Sequence, residues 1–332
     1  MFFRWIRPLL GLAAVLLLLN GCGGETAVSP DTDELTLPTV EPVQLDGEKL
    51  QVVATTSIIG DVVGQVGGDA IQLKTLLQPG QDPHSYQPTS GDLAAVADAH
   101  IIFVNGWNLE ERLLKDITAV AENGIIVPVN AGVTPLSVSG TGDNHDHEET
   151  HGTVDPHSWL DVASVQQWVS NIAQVLETAD PPNAPLYQQN AATYQNQLSQ
   201  LQADMQTQLS AIPQEKRVLV TNHDALGYFA RAYGFRIVGT IIPGKSTLAE
   251  PSSADITQLV STMAAQQICT IFVESTVNTS LAETVANELP ACDKVSIKTL
   301  YTGALGPAGS GADSYLGMMR ANVQAIVEGL NN

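Results

Sequence analysis

From residue 50 to the C-terminus, short runs rich in β-branched residues alternate with longer stretches that have the periodicity of amphipathic helices. A chain with this alternation folds into parallel sheets that its connecting helices cover. Eight runs are predicted as strands: residues 51–55, 71–77, 100–104, 125–129, 217–221, 236–241, 270–273 and 294–298. Helices are predicted between most of them, for example at residues 109–120, 253–266 and 281–289. The fold class is therefore α/β.

One segment breaks this alternation, because residues 183–212 contain no glycine and are rich in Gln, Ala and Leu. Apolar residues recur there at steps of three and four, which predicts one long helix with an apolar face. That face comprises Leu186, Tyr187, Tyr194, Leu198, Leu201, Met205 and Leu209. We expect two Rossmann-like α/β lobes, residues 50–180 and 213–332, joined by this rigid helix. The cleft between them is the expected ligand site, because open α/β sheets bind ligands beyond the carboxyl ends of their strands.

The N-terminal 48 residues have a different character. Two arginines precede an apolar run at residues 9–19, which ends in Leu-Asn-Gly-Cys. This is the order of an export signal, and the run is short for a membrane span. The ending resembles a bacterial lipobox, so we predict a lipoprotein signal peptide at residues 1–22 with Cys22 lipidated. An ordinary cleaved signal and a weak anchor helix are the alternatives.

Residues 23–48 are predicted as a flexible tether, because they are rich in Gly, Thr, Pro, Asp and Glu and show little periodicity. We therefore expect the folded part to lie outside the cytoplasm, lipid-anchored at the outer face of the cell membrane, or in the periplasm.

The charge balance narrows the class of partner. The chain has 14 Lys and Arg against 35 Asp and Glu, a formal net charge of −21. A nucleic-acid-binding surface neutralises phosphates with basic side chains, so we expect no nucleic-acid partner. Cations remain suitable ligands.

Two of the seven histidines lie in copies of one signature, Asp-Pro-His-Ser-Tyr at residues 82–86 and Asp-Pro-His-Ser-Trp at residues 155–159. Proline fixes its own φ and holds the preceding residue extended, so each histidine leaves a stiffened loop with its direction partly set. A third histidine, His223, follows a predicted strand at the carboxyl end, where α/β folds place site residues. We predict that His84, His157 and His223 bind one metal ion; the alternative for each is a structural histidine.

Acidic residues near strand and helix ends supply candidates for a fourth ligand. Asp313, just before the final helix, is the predicted one, although an Asp at this point is also an ordinary helix N-cap. Glu274 and Glu250 are weaker candidates.

A segment at residues 144–154 combines acidic residues with three histidines: His145, His147 and His151. This composition attracts metal ions weakly. We predict an accessory capture loop and not the main site, because a flexible segment loses entropy when it forms a defined coordination shell. A solvated acidic loop is the alternative.

Cys269 and Cys292 are the two cysteines that remain when Cys22 is set aside. An exported protein is exposed to oxidising conditions, and the two residues precede neighbouring predicted strands. We predict that they form a disulfide bond; two buried free thiols are the alternative.

Together these motifs resemble the solute-binding proteins of metal-ion ABC importers, the family that takes up zinc or manganese. The resemblance covers about residues 50–330 and rests on four separate motifs in the family's order. They are Pro-His-Ser-Tyr at 83–86, Asp-Pro-His-Ser-Trp-Leu-Asp at 155–161, Thr-Asn-His-Asp-Ala-Leu-Gly-Tyr-Phe-Ala at 221–230 and Asp-Ser-Tyr at 313–315 followed by Met-Met at 318–319.

The resemblance implies two lobes bridged by a long helix, with one metal ion buried between them and delivered to a permease and ATPase complex. It places the ligands on His84, His157, His223 and Asp313. Zinc-selective relatives have histidine at the third position and often a His-rich loop, whereas manganese relatives have a carboxylate there. Three imidazoles and one carboxylate suit Zn²⁺, while Mn²⁺ prefers more oxygen ligands.

We therefore predict a monomeric zinc-binding component of an importer, with Mn²⁺ as the alternative metal. A surface adhesin with a structural metal and a zinc hydrolase are the alternative classes. We predict no enzymatic activity, because Asp313 as fourth ligand would close the metal position that turnover needs.

Overall fold

Eight strands and nine helices form within the residues that the computed structural model describes, 34–137, 154–289 and 292–331 besides Met1. The strands are β1 Leu50–Ala54, β2 Ile71–Thr75, β3 Ile101–Val104, β4 Ile125–Pro128, β5 Val218–Thr221, β6 Arg236–Thr240, β7 Thr270–Glu274 and β8 Ser296–Leu300. The helices are α1 Ser57–Gly67, α2 Ser90–Ala97, α3 Glu111–Val120, α4 Val162–Ala179, α5 Ala184–Ser210, α6 Gly227–Tyr233, α7 Ser253–Ala265, α8 Ser280–Asn287 and α9 Tyr315–Leu330. Each predicted strand is present, shifted by two residues or fewer at its start.

The strands form two parallel sheets with the same topology, β2-β1-β3-β4 and β6-β5-β7-β8. The predicted fold class, two parallel-sheet α/β lobes with a long connecting helix, is confirmed. Because all strands in a sheet run the same way, their carboxyl ends share one edge, and the loops that leave this edge carry the candidate site.

Helix α5 connects the two halves of the chain and is 27 residues long, about 40 Å. It packs against α1, α4 and α9. Its buried residues follow steps of three and four: Tyr187, Ala191, Tyr194, Leu198, Leu201, Met205 and Leu209. Leu186, predicted on the same face, is exposed instead, because a one-residue step turns the side chain by about 100° around the helix axis.

One apolar core runs from the first sheet through α4 and α5 to α9 and the second sheet. It includes Val52, Trp168, Tyr194, Met318 and Phe272, all nearly inaccessible to solvent. This shared core packs the two halves around α5. The predicted lobe bounds, 50–180 and 213–332, stay predictions.

Residues 34–48, which the sequence assigns to the flexible tether, lie along the folded part. The backbone amide of Val43 donates to Ala179 O at 2.8 Å, and that of Gly132 donates to Leu35 O at 3.0 Å. Apolar side chains spaced along the segment, among them Leu37, Val40 and Leu45, pack against the core and explain the difference. Residues 23–33 and Cys22 lie outside the described residues, as does the signal peptide beyond Met1.

No helix in the described part of the chain is both long and apolar enough to cross a membrane. The predicted disulfide is present: Cys269 and Cys292 are bonded, with their Cα atoms 5.8 Å apart. They stand just before the neighbouring strands β7 and β8, and a cross-link over 23 residues stabilises the fold by about 3 kcal/mol.

Candidate metal centre

Three histidines from distant parts of the chain meet in space. His84 lies in the loop between β2 and α2, His157 just before α4, and His223 two residues after β5. The Nε2 atom of His157 is 3.2 Å from that of His84 and 3.2 Å from that of His223. One ligand atom from each residue lies within 4.8 Å of the others. The structure thus brings together all three predicted histidines.

The two copies of the repeated signature form the same local turn. In each, the aspartate Oδ1 accepts the backbone amide of the histidine two residues later, at 3.0 Å for Asp82 and His84 and at 3.0 Å for Asp155 and His157. Asp side chains favour such turns, and the intervening proline stiffens them. The repeated sequence therefore presents each histidine from a fixed backbone.

Buried carboxylates orient two of the three rings. The Nδ1 of His157 lies 2.8 Å from Asp155 Oδ1, and the Nδ1 of His223 contacts Glu274 Oε1. An ionised carboxylate can only accept, so each Nδ1 carries a proton, and Nε2 is the ring nitrogen that faces the centre. Thr302 Oγ1 donates to Glu274 Oε2 at 2.6 Å, and Lys245 Nζ lies 2.9 Å from Asp155 Oδ2.

The pKa values of His84 and His157 favour neutral rings, and those of Asp155 and Glu274 favour charged carboxylates. Burial, with the nearby rings of His157 and His223, holds the pKa of His84 well below its ordinary value. Burial also lowers the pKa of His157, although Asp155 opposes that shift. Burial alone would raise the pKa of Asp155 and Glu274, but their histidine partners outweigh it and leave both below their ordinary values. Neutral imidazole is the form that binds a metal ion.

Three converging imidazole nitrogens can hold one divalent transition-metal ion. Nitrogen ligands at 2.0–2.1 Å around a tetrahedral ion lie about 3.3 Å apart, close to the observed 3.2 Å spacing. Among the described residues, no other group of three or more His, Cys, Asp or Glu side chains is arranged to hold a metal ion.

A cleft of about 300 Å³ opens onto the partly exposed His84. Its walls include Trp107, Pro156, Lys245 and Leu248. His157 and His223 are almost fully buried, so the cleft gives an ion access to the centre on the His84 side.

Asp313, the predicted fourth ligand, does not join the cluster. It is exposed, and its Oδ2 accepts the backbone amide of Gly309 at 2.8 Å. The adjacent Ser314 caps α9, so Asp313 closes the preceding loop. Asp313 therefore does not supply a fourth ligand and does not close the metal site.

The other acidic residues and histidines considered in the sequence lie outside the three-histidine cluster or outside the described residues. Glu274 contacts the ring of His223 and is not one of the three clustered ligand residues. Glu250 is exposed. His100 stands before β3, at the far end of the sheet, where its Nδ1 accepts the amide of Gln51 at 3.0 Å. The loop histidines His145, His147 and His151 lie outside the described residues.

The sequence analysis missed the supporting residues Asp155, Lys245 and Thr302. The aspartate of the repeated signature was a usable signal for Asp155, since histidine ligands commonly donate to a carboxylate. Lys245 is the seventh residue of a Gly-x₄-Gly-Lys-Ser string at residues 239–246, which matches the phosphate-loop sequence motif. The next helix begins only at Ser253 and the Lys245 amine pairs with Asp155 and Asp224, so the string does not have a phosphate loop's context. A His-Glu-x-x-His string at residues 147–151 lies outside the described residues.

Comparison with known proteins gives consistent matches over most of the chain. Residues 52–329 match the family described as zinc-uptake complex component A, periplasmic (ZnuA). The manganese-binding lipoprotein MntA of Halalkalibacterium halodurans is 34% identical over 321 residues, which is 96% of this chain and 97% of that protein. The manganese ABC transporter substrate-binding lipoprotein PsaA of Streptococcus pneumoniae is 32% identical, over 86% of this chain and 90% of the relative. The solved structure of the periplasmic zinc-binding protein TroA from Treponema pallidum superposes with a TM-score of 0.77 at 31% identity, covering 85% of this chain and 99% of TroA.

Proposed function

The chain belongs to the ZnuA family of metal-binding components of ABC importers, and from this premise we propose that it captures zinc outside the cytoplasm and delivers it to an import permease. His84, His157 and His223 are the proposed ligands. The observation that carries the proposal is the convergence of three imidazole rings in a ligand cluster that, among the described residues, includes no carboxylate oxygen.

Ligand type favours zinc over manganese. Imidazole nitrogens suit Zn²⁺, whereas Mn²⁺ prefers carboxylate and water oxygens. The two carboxylates beside the site, Asp155 and Glu274, are engaged with histidine Nδ1 atoms. Manganese is the second candidate, because MntA and PsaA are named as manganese-binding proteins.

The proposal includes a monomeric carrier that lipid on Cys22 anchors to the outer face of the membrane, with the permease and ATPase complex as partner. A zinc enzyme also uses three protein ligands and a free position, so the carrier role needs its own test. A metal-loaded protein that hydrolyses an activated ester no faster than free zinc supports the carrier, and faster hydrolysis that the His157→Ala variant loses would favour an enzyme.

The main experiment measures bound metal after purification without added metal, then competition between Zn²⁺ and Mn²⁺. We expect one tightly bound zinc per chain, lost or greatly weakened in the His84→Ala, His157→Ala and His223→Ala variants. His100→Ala is the matched control and should bind like the parent, because His100 lies at the other end of its sheet. A parent that prefers manganese overturns the zinc assignment, and a ligand variant that binds zinc as tightly as the parent removes that residue from the set.

We also propose that residues 144–154 act as an accessory capture loop. Val154, the last residue of this segment and the one that the structure describes, lines the cleft that opens onto His84. Deleting residues 144–154, the whole predicted segment, should reduce weakly bound zinc and leave the tight site intact. Loss of the tight site in a folded deletion variant would contradict this division of roles.

A further inference from the structure

The loop between β6 and α7 contacts both copies of the histidine signature. We call residues 243–249 of this loop the clasp. Lys245 Nζ lies 2.9 Å from Asp155 Oδ2, and Thr247 Oγ1 donates to Asp82 Oδ2 at 2.6 Å. The sequence separations are 90 and 165 residues, so only the packing of the two halves creates these contacts.

Each aspartate of the signature divides its two oxygens in the same way. In both copies Oδ1 accepts the amide of its own histidine, while Oδ2 faces the clasp. Asp82 Oδ2 also accepts from Ser85 Oγ at 3.1 Å, within its own turn. A carboxylate that is held at both oxygens cannot swing, so the clasp restrains the turns from which His84 and His157 project.

The clasp is also tied to the segment that carries the third histidine. The amide of Asp224, the residue after His223, donates to Gly244 O at 3.0 Å. Lys245 Nζ lies 2.7 Å from Asp224 Oδ2 as well, and this ammonium is mostly buried. Residues of the clasp thus contact the backbone segments of all three proposed ligands and form one wall of the cleft at His84.

We propose that Lys245 and Thr247 are positioning residues of the metal centre, which hold the three ligand segments together and so set the rate at which bound metal leaves. This inference rests on the proposed function. A metal ion can leave only when its ligands move apart. Contacts that hold the ligand segments together therefore slow its release. Outer contacts of this kind typically change metal affinity 10- to 100-fold.

Thr247→Val is the cleanest test, because it removes the hydroxyl and changes neither charge nor volume greatly. We expect zinc to leave about 10-fold faster into excess chelator, measured by stopped flow. Thr247→Ser keeps the hydroxyl and should release zinc like the parent. Thr207→Val is the matched control, since Thr207 bonds only within helix α5, to Ala203 O.

Lys245→Met is the second test and keeps most of the aliphatic stem. Loss of the ammonium removes a partner of the buried Asp155, but it also removes a positive charge that repels the metal ion. The two effects change metal affinity in opposite directions, so the release rate is the more informative measurement. We expect faster release here too. Lys298→Met is the control, because Lys298 pairs with Glu328 on the surface away from the site.

A metal-free measurement separates failure of the clasp from failure of the proposed function. Amide hydrogen exchange across residues 243–249 should be faster in metal-free Thr247→Val than in the metal-free parent, while exchange in α5 stays the same. If the parent binds zinc but both variants release it at the parent's rate, the clasp is refuted and the proposed function stands. If the parent binds no zinc, the proposed function fails, and unchanged exchange across the loop then refutes the clasp as well.

Discussion

The two copies of the Asp-Pro-His-Ser-aromatic signature share a backbone turn but occupy different surroundings. In the second copy Asp155, His157 and Trp159 are buried, and Trp159 Nε1 donates to Thr302 O in the C-terminal half at 2.7 Å. In the first copy His84 is partly exposed at the cleft. Its aromatic residue, Tyr86, donates to Asp92 at the start of α2 at 2.7 Å, within the same half of the chain.

The rings of His84 and His157 also differ in their hydrogen-bond partners. Asp155 accepts from both the amide and the ring of His157, whereas Asp82 accepts from the amide of His84 but, within the described contacts, not from its ring. One local sequence thus yields a ring fixed in orientation and a ring with more freedom. We infer that His157 and His223 form a prearranged pair and that His84, on the cleft side, completes the site.

The largest expected difference is in zinc affinity. His157→Ala should weaken zinc binding by more than about 100-fold, beyond what losing an outer contact costs, because it removes the ring central to the cluster. His84→Ala should weaken it less, since the prearranged pair remains. Competition with a chelator of known affinity measures both. An equal or greater loss of zinc affinity for His84→Ala would contradict the prearranged pair of His157 and His223. If His157→Ala does not fold, His157→Asn serves as a second variant.

The aspartates should differ by a smaller amount. Asp155→Asn is expected to weaken zinc binding by about 10- to 100-fold, because the amide no longer stabilises the Nδ1-protonated ring in the same way. Asp82→Asn should cost less, since Asp82 contacts the backbone amide of His84, the Ser85 hydroxyl and the clasp but not the His84 ring. The same titration compares them, with unfolding curves to show that both variants are folded. Equal losses would mean that the ring contact of Asp155 contributes nothing specific.

His84 and His157 should also contribute differently to the pH dependence of the stability of the metal-free protein. Both rings have lowered pKa values, so near and below pH 6.5 the unfolded chain binds more protons than the folded one, and stability falls as pH falls. Each histidine contributes at most about 1.4 kcal/mol per pH unit. The effect should be larger for His84, because no carboxylate among the described residues contacts its ring to oppose the shift.

Thermal unfolding with a chelator present, from pH 7.5 to 5, tests this expectation. His84→Gln should flatten the dependence more than His157→Gln does. The opposite order would show that Asp155 does not offset the burial of His157.

The smallest expected difference concerns the two serines. Ser158 is buried and donates to Asn130, whereas Ser85 is exposed and donates to Asp82. Ser158→Ala should lower the free energy of unfolding by about 1 kcal/mol, and Ser85→Ala should change it by less than about 0.5 kcal/mol. Denaturant unfolding of the metal-free variants measures both, and a cost for Ser85→Ala as large as that for Ser158→Ala would contradict the contrast in burial.

Features that depend on near neighbours in the chain could be predicted from the amino-acid sequence alone. Alternating periodicity predicted both parallel sheets and helix α5, and the two short Asp-Pro-His turns follow from contacts across two residues. His223 was found by its place after a strand, and the two cysteines by their place before adjacent strands. In each case the physical cause lies within one element or at its end.

The distant side chains that support the histidines could not be predicted in this way, because they meet through the packing of separate elements. The contacts of His223 with Glu274 and of Lys245 with Asp155 span 51 and 90 residues, and they exist because two sheets and their loops pack around α5. Asp313 had the right chemistry and the expected place in the chain, yet its loop closes on Gly309 and leaves it exposed. Sequence patterns specify which groups can bind a metal ion, but the packing of separate elements determines which of them meet, because that packing sums many weak contacts that no single segment contains.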